Sequence, residues 1–223
     1  AQGGVGTSDE QEFLINHYNL DSVGWGTPFL LVPEVTTVDD STRNKLIHAK
    51  EEDLYLSQVS PLGVPFNNLR NNSKDNERDK KISEGKPGSS CPRRFLALSK
   101  EYDKQGICSA SRKFQKIKIN ESKKNHFSLD KVFEKTCLCV GLSAAAVINN
   151  EIDIKESKAV SICPGPNLAY FSNLMSLKEI SHHIYGIKES VVREDRPHFF
   201  VKELELYVNY FKQKIEDSAL DFN

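Results

Sequence analysis

Apolar and polar positions change rhythm several times along the chain, and the changes mark its elements. Ser8 followed by Gln11 has the form of a capping box, and Phe13, Leu14 and His17 or Tyr18 fall on one side of a helix running to about Tyr18. Asn19-Leu20-Asp21 turns the chain, and Ser22–Val32, "SVGWGTPFLLV", reads as a buried strand interrupted by glycines. Asp39 or Asp40 caps a second helix to about Leu56, with Leu46, Ile47 and Leu54 inward. The segment 67–90 is poor in apolar residues and broken by Gly85, Pro87 and Gly88, which predicts a surface loop. "KAVSI" before Cys163 predicts a short strand. Ser176 and Glu179 form another capping box, for a helix ending at Gly186. From about His198 to Asp217, Phe200, Leu204, Tyr207, Val208, Phe211 and Ile215 make one helical stripe suited to packing against another element or a second subunit.

The early order of turn, helix, strand and second glycine turn is that of an α/β protein. Both glycine turns, Gly3-Gly4 and Gly24-Trp25-Gly26-Thr27, then fall at one end of a parallel sheet. Backbone amides there, beside a helix starting at Ser8, suit an anion; the plain alternative is that the glycines only make tight turns.

Composition narrows the classes. The chain has 223 residues, 30 basic and 31 acidic, a net charge of −1 and a mean hydropathy of −0.49. No global positive field draws it to nucleic acid or anionic lipid. The longest apolar run, Ala144–Ile148, is too short to span a bilayer. Five cysteines without a secretory leader fit reduced thiols or metal ligands in a cytoplasmic protein better than disulfides.

"GGVGT…DSVGWGTPFLL" resembles the last quarter of FMN-dependent (β/α)8 barrels, the group that includes nitronate monooxygenase, inosine monophosphate dehydrogenase and the FMN domain of glutamate synthase. The resemblance covers about residues 1–60. It implies that Gly3 and Gly4, with Gly24, Gly26 and Thr27, hold a flavin phosphate in the loops after strands seven and eight. It implies a fold in which residues 1–66 are the last βα units of a TIM barrel, 67–90 a polar loop and 91–223 a mainly helical α+β extension containing the cysteines. It further implies an oxidoreductase acting on a small-molecule substrate, with the rest of the barrel supplied by upstream polypeptide or a second subunit, since two strands cannot close a barrel. Catalytic groups near the flavin ring would lie on that remainder and are not identifiable here. Ser60-Pro61-Leu62-Gly63-Val64 is similar to a Cys-Pro-x-Gly-Val segment of glutamate synthase whose cysteine ligates an iron–sulfur cluster, but a serine stands in its place.

The remaining candidates lie further on. Cys91, Cys108, Cys137 and Cys139 can bind Zn2+ or an iron–sulfur cluster if the fold brings them together, or else serve as small buried hydrophobes. Cys163 before Pro-Gly-Pro is either a reactive thiol or part of a turn. His182 and His183 point different ways, one into the core and one outward. Arg193, Arg196 and His198 either meet an anion or are ordinary surface charges. A second functional class therefore stands beside the flavoenzyme: a non-catalytic, metal-stabilised assembly module.

Overall fold

The structure, a computed structural model, describes residues 1–188 and 190–220. The mixed helix and strand content holds in coarse form: 47% of the chain is helical, with one two-stranded sheet among the described residues. The helices are α1 (Ser8–Tyr18), α2 (Asp40–Ile47), α3 (Ser73–Ser83), α4 (Arg112–Asn125), α5 (Asp130–Phe133), α6 (Leu138–Asn149), α7 (Leu177–Ile184) and α8 (Phe199–Leu220). Strands β1 (Leu54–Ser57) and β2 (Phe66–Leu69) pair antiparallel, with Leu54 opposite Leu69 and Ser57 opposite Phe66. Two compact units result, one of residues 1–36 with 167–223 and one of 37–166. These divisions differ from the expected boundaries at residues 66 and 90.

Several sequence expectations are corrected. Ser22–Val32 is not a strand. Gly24 makes one parallel bridge with Gln2, and Thr27–Leu31 then winds into a 3-10 turn. Pro28 explains the change, because its fixed φ and missing N–H suit the start of a helical turn and cannot serve a ladder. The second helix stops at Ile47, not Leu56. His48 caps it, and Lys50 N–H bonds the Asp53 carboxylate (3.0 Å) in a short turn that releases Leu54 into β1. Residues 67–90 are not a loop throughout but hold most of β2 and all of α3. Asn72 caps α3 by accepting from the Asp75 amide (2.9 Å), and Glu77 bridges Lys74 (2.6 Å) and Lys81 (2.8 Å) along its face. Those i,i+3 and i,i+4 pairs stabilise a helix that has almost no apolar stripe. No strand forms at 158–162 either. The α1 cap is Thr7, one residue earlier than read.

Other readings hold. The Ser176–Glu179 capping box is present, and Gly186 follows α7 at φ +63°. His183 is buried at 3% exposure while His182 is only half-buried. The α8 stripe forms, yet Val201, Leu204, Tyr207, Phe211 and Ile215 are exposed rather than packed.

In the 37–166 unit the stretch Asp130–Asn149 is apolar enough, by length and composition alone, to cross a membrane. It is two helices, α5 and α6, broken around Cys137, and α6 buries Leu138, Val140, Ala144 and Ala145. Ala144, Ala145 and Val160 pack together. Gly141 lies where α6 approaches the chain at Ser161, whose amide bonds the Gly141 carbonyl at 2.9 Å. A Cβ at Gly141 would stand 2.3 Å from the Ser161 hydroxyl oxygen. In an open helix, glycine to alanine gains about 1 kcal/mol. Here the clash reverses the sign, so Gly141→Ala is expected to lower stability by about 1–3 kcal/mol, read by chemical denaturation.

Candidate functional site

The N-terminal turns are built around one carboxylate. Glu10, in the first turn of α1, is 4% exposed. Its Oε2 accepts from the Gly6 amide (2.8 Å), and its Oε1 accepts from the Phe199 amide (2.9 Å) and from Arg196 Nη1 (2.7 Å). Arg196 also donates to Asn167 Oδ1 (2.6 Å) and to the Gly4 carbonyl (2.6 Å), and its side chain is 5% exposed. Arg196 is therefore neither a surface charge nor a free anion ligand; it braces the first glycine turn. His183 accepts the Val191 amide at Nδ1 (3.3 Å), which places its proton on Nε2, 2.8 Å from the Gly6 carbonyl.

Burial alone would make Glu10 harder to ionise. The Arg196 bond and the Gly6 and Phe199 amides outweigh that, and its carboxyl ionises below the usual glutamate range. Burial is also the main influence on His183, which with the nearby Arg196 charge holds the ring neutral below its ordinary range despite the Gly6 bond.

The second turn is held beside the first. The Gly24 amide bonds the Ala1 carbonyl (2.8 Å), and Trp25 Nε1 donates to Gln11 Oε1 on α1 (2.7 Å). Val5, Leu14 and Phe199 form the apolar cluster beneath, with Leu20, Val23 and Trp25 packed on it. Between the turns lies a cleft of about 320 Å3 lined by Gln2–Val5 and Gly24–Thr27. Gly3, Gly4, Gly24, Gly26 and Thr27 are thus brought together at one cleft.

The glycines differ in what the backbone asks of them. Gly3 and Gly4 have φ of +99° and +75°, conformations L side chains rarely adopt. A Cβ at Gly24 would meet the Gln2 side chain at 2.8 Å. At Gly26 φ is −132° with ψ −57°, outside the main helical and extended regions, and a Cβ would find nothing within 4 Å. Neither steric crowding nor a positive φ calls for glycine there. The amides of Gly4, Gly26 and Thr27 donate to no acceptor among the described residues. The N-terminus of α1 does not line this cleft, and its first turn carries Asp9 and Glu10, so the expected helix contribution at Ser8 is corrected.

In the other unit, Cys108 and Cys137 are buried, Cys91 and Cys139 half-buried and Cys163 exposed, all as free thiols. Cys108 feels the charges of Cys91, Cys137 and Cys139, and Cys139 those of Cys137 and Cys91. Burial, foremost, pushes the Cys108 thiol up to about 12. Among the described residues, no three His, Cys, Asp or Glu side chains gather to hold a single ion. Sequence reasoning missed Glu10 and Arg196 as partners because 186 residues separate them and neither lies in a motif.

Glu10 and His183 both have folded-state values below their unfolded ones, so each adds stability above its unfolded value and loses it as pH falls. Acid should therefore weaken the native state in two steps, the first beginning in the ordinary histidine range and the second in the ordinary glutamate range. Glu10→Gln should shrink the second step, to which Glu77 and other lowered carboxylates also contribute, keep the first and cost roughly 3 kcal/mol at neutral pH, as expected for a broken buried pair, in unfolding curves collected against pH. A scan against protein-family models finds no match, and a search of the curated proteins finds none either, so the chemistry of these sites is what bears on function.

Proposed function

We propose that the cleft between the two glycine turns binds the phosphate of FMN, and that the chain contributes this end of the flavin site to a cytoplasmic FMN-dependent oxidoreductase of the (β/α)8 class. The observation that carries this reading is Gly26. It lines the cleft, a Cβ there would meet no other atom, and its amide points at no protein acceptor. A ligand that must approach the backbone closely accounts for the missing Cβ. The parallel bridge of Gln2 with Gly24 supports it further, because the ends of neighbouring barrel strands run side by side in this way.

The site's chemistry follows from its residues. Gly4, Gly26 and Thr27 offer amide donors at the lining of the same cleft. Glu10 and Arg196 neutralise one another and fix the Gly4 carbonyl, so the turn is preorganised and no carboxylate faces the ligand unpaired. When bound, the flavin would supply hydride chemistry, while this chain orients it through the phosphate. The remainder of the barrel, on upstream polypeptide or a second subunit, would carry the substrate-facing groups.

Amide chemical shifts in the full chain test the reading. Inorganic phosphate and FMN should move the Gly4, Gly26 and Thr27 resonances, and riboflavin, which lacks the phosphate, should not. Gly26→Ala should leave the chain folded and weaken FMN binding about tenfold or more, because a methyl group then occupies the approach to the amides. Equal shifts with riboflavin, or unchanged FMN affinity in the variant, would overturn it.

A further inference from the structure

Helix α8 starts in a core and then leaves it. Phe199, its first residue, is buried in the cluster with Val5 and Leu14. From Val201 to Glu216 every residue is exposed except Lys202, which is half-buried. The apolar residues along this stretch are not scattered. Val201, Leu204, Val208, Phe211 and Ile215 follow one another at steps of three and four, and each is 43–69% exposed. They make one seam, and Ser218 takes its next position. The Ser218 hydroxyl donates to the Lys214 carbonyl of its own helix (2.8 Å), so it can be covered without losing a partner. A contiguous apolar seam in water marks an interaction surface.

The residues of the seam indicate what covers it. In heptad terms Val201, Val208 and Ile215 stand at a, and Leu204 and Phe211 at d, the choice that favours two helices. The flanks decide the direction. Glu205 and Lys212 lie on one flank, seven residues apart, and Phe200 and Tyr207 lie on the other. In a parallel pair of identical helices the first flank meets the second, and no ion pair forms. In an antiparallel pair like flanks meet, so Glu205 of each copy faces Lys212 of the other, twice by symmetry. Glu205 already accepts from Lys202 (2.9 Å), and a carboxylate has room for a further donor. The same register sets Val201 against Ser218, Leu204 against Ile215 and, at the centre, the smaller Val208 against the bulky Phe211.

Two further features agree. The exposed rings of Phe13 and Tyr18 on α1 stand edge-on to Phe200 at 6.3 and 6.0 Å. They widen the apolar surface at the end of α8 where an antiparallel partner helix would finish. The charges of α8 include Lys202, Lys212 and Lys214 with Glu203, Glu205 and Glu216, and this mixture has no strong pull toward anionic lipid. We propose that α8 is the interface of a homodimer, in which two copies of the chain pair these helices antiparallel through the Val201–Ser218 seam. The ion pairs at its edge add little affinity but fix the direction. The proposal goes beyond the flavin reading and uses none of the residues at the glycine cleft.

Analytical ultracentrifugation of the full chain, without flavin, tests the pairing. The native chain should sediment at about twice its 25.2 kDa mass when concentrated and dissociate on dilution. Phe211→Glu places a charge at the centre of the seam from both copies and should leave a monomer at every concentration. Phe211 is exposed in the single chain, so near-ultraviolet circular dichroism should show the variant still folded. Glu205→Lys and, separately, Lys212→Glu should each weaken self-association about fivefold or more, because like charges then meet at both edges. Mixed in equal amounts, these two variants should pair with each other about as tightly as the native chain does, since opposite charges face one another again. A change in either helix by itself cannot produce that recovery. A native chain still monomeric at about 0.1 mM would overturn the proposal and give the seam to a different partner. So would an assembly of another size, a dimer of the Phe211→Glu variant, charge variants that self-associate like the native chain, or a mixture that fails to recover. No cleft residue is altered, so failure here leaves the phosphate reading to its own test.

Discussion

A carboxylate removed from water must be surrounded by donors, and in the unit of residues 1–36 and 167–220 that requirement organises the whole arrangement. Glu10 draws its donors from the turn before α1, from Arg196 and from the first residue of α8. These groups come from opposite ends of the chain, so satisfying one side chain closes the unit. Arg196 passes the constraint on: its remaining donors hold Asn167 and the Gly4 carbonyl. Asn167 in turn donates to the Val5 carbonyl at 3.1 Å. Breaking the pair would leave an uncompensated charge and loosen the glycine turn together.

Local signals were legible where a side chain caps its own helix. The Ser176–Glu179 box, the end of α1 at Tyr18 and Gly186 after α7 all follow from interactions within a few residues. The failures share a cause of the opposite kind. The run Phe29-Leu30-Leu31-Val32 is apolar enough for a strand, but short apolar runs carry no periodicity that separates strand from helical turn, and Thr27-Pro28 decided for the turn. The α3 helix was hidden because its support is ionic. An Asn72 cap and the Lys74–Glu77–Lys81 chain stabilise it, and those residues in composition alone read as a solvated loop.

The candidate sites were legible by residue type, not by arrangement. Paired glycine turns could be marked from the sequence, and they do meet at one cleft. What could not be marked is which glycines the fold itself needs. Gly3 and Gly4 need their positive φ, whereas Gly26 does not, and only coordinates separate the two cases. The cysteines pose the same problem at longer range. A single C-x-C pair is local, but the approach of Cys91 and Cys108 depends on the Ser89–Ser111 and Ser99–Ile107 bridges, which no spacing rule announces.

The electrostatics of the cleft set limits on how it can work. Arg196, which braces the first turn, is tied to Glu10 and to the Gly4 carbonyl, so the pair contributes little net field to an incoming anion. The α1 terminus adds none, because Asp9 and Glu10 occupy its first turn. The attraction these turns offer comes from neutral amide donors, each of which contributes about 1.5–3 kcal/mol to a charged partner. Three such bonds, less the entropy of immobilising a small ion, hold a bare phosphate only weakly. A phosphate attached to a large ring system is different, since contacts elsewhere supply the affinity and the amides supply position. That division of labour suits a cofactor retained through many turnovers, with its phosphate fixed by a preorganised turn rather than by a mobile charged side chain.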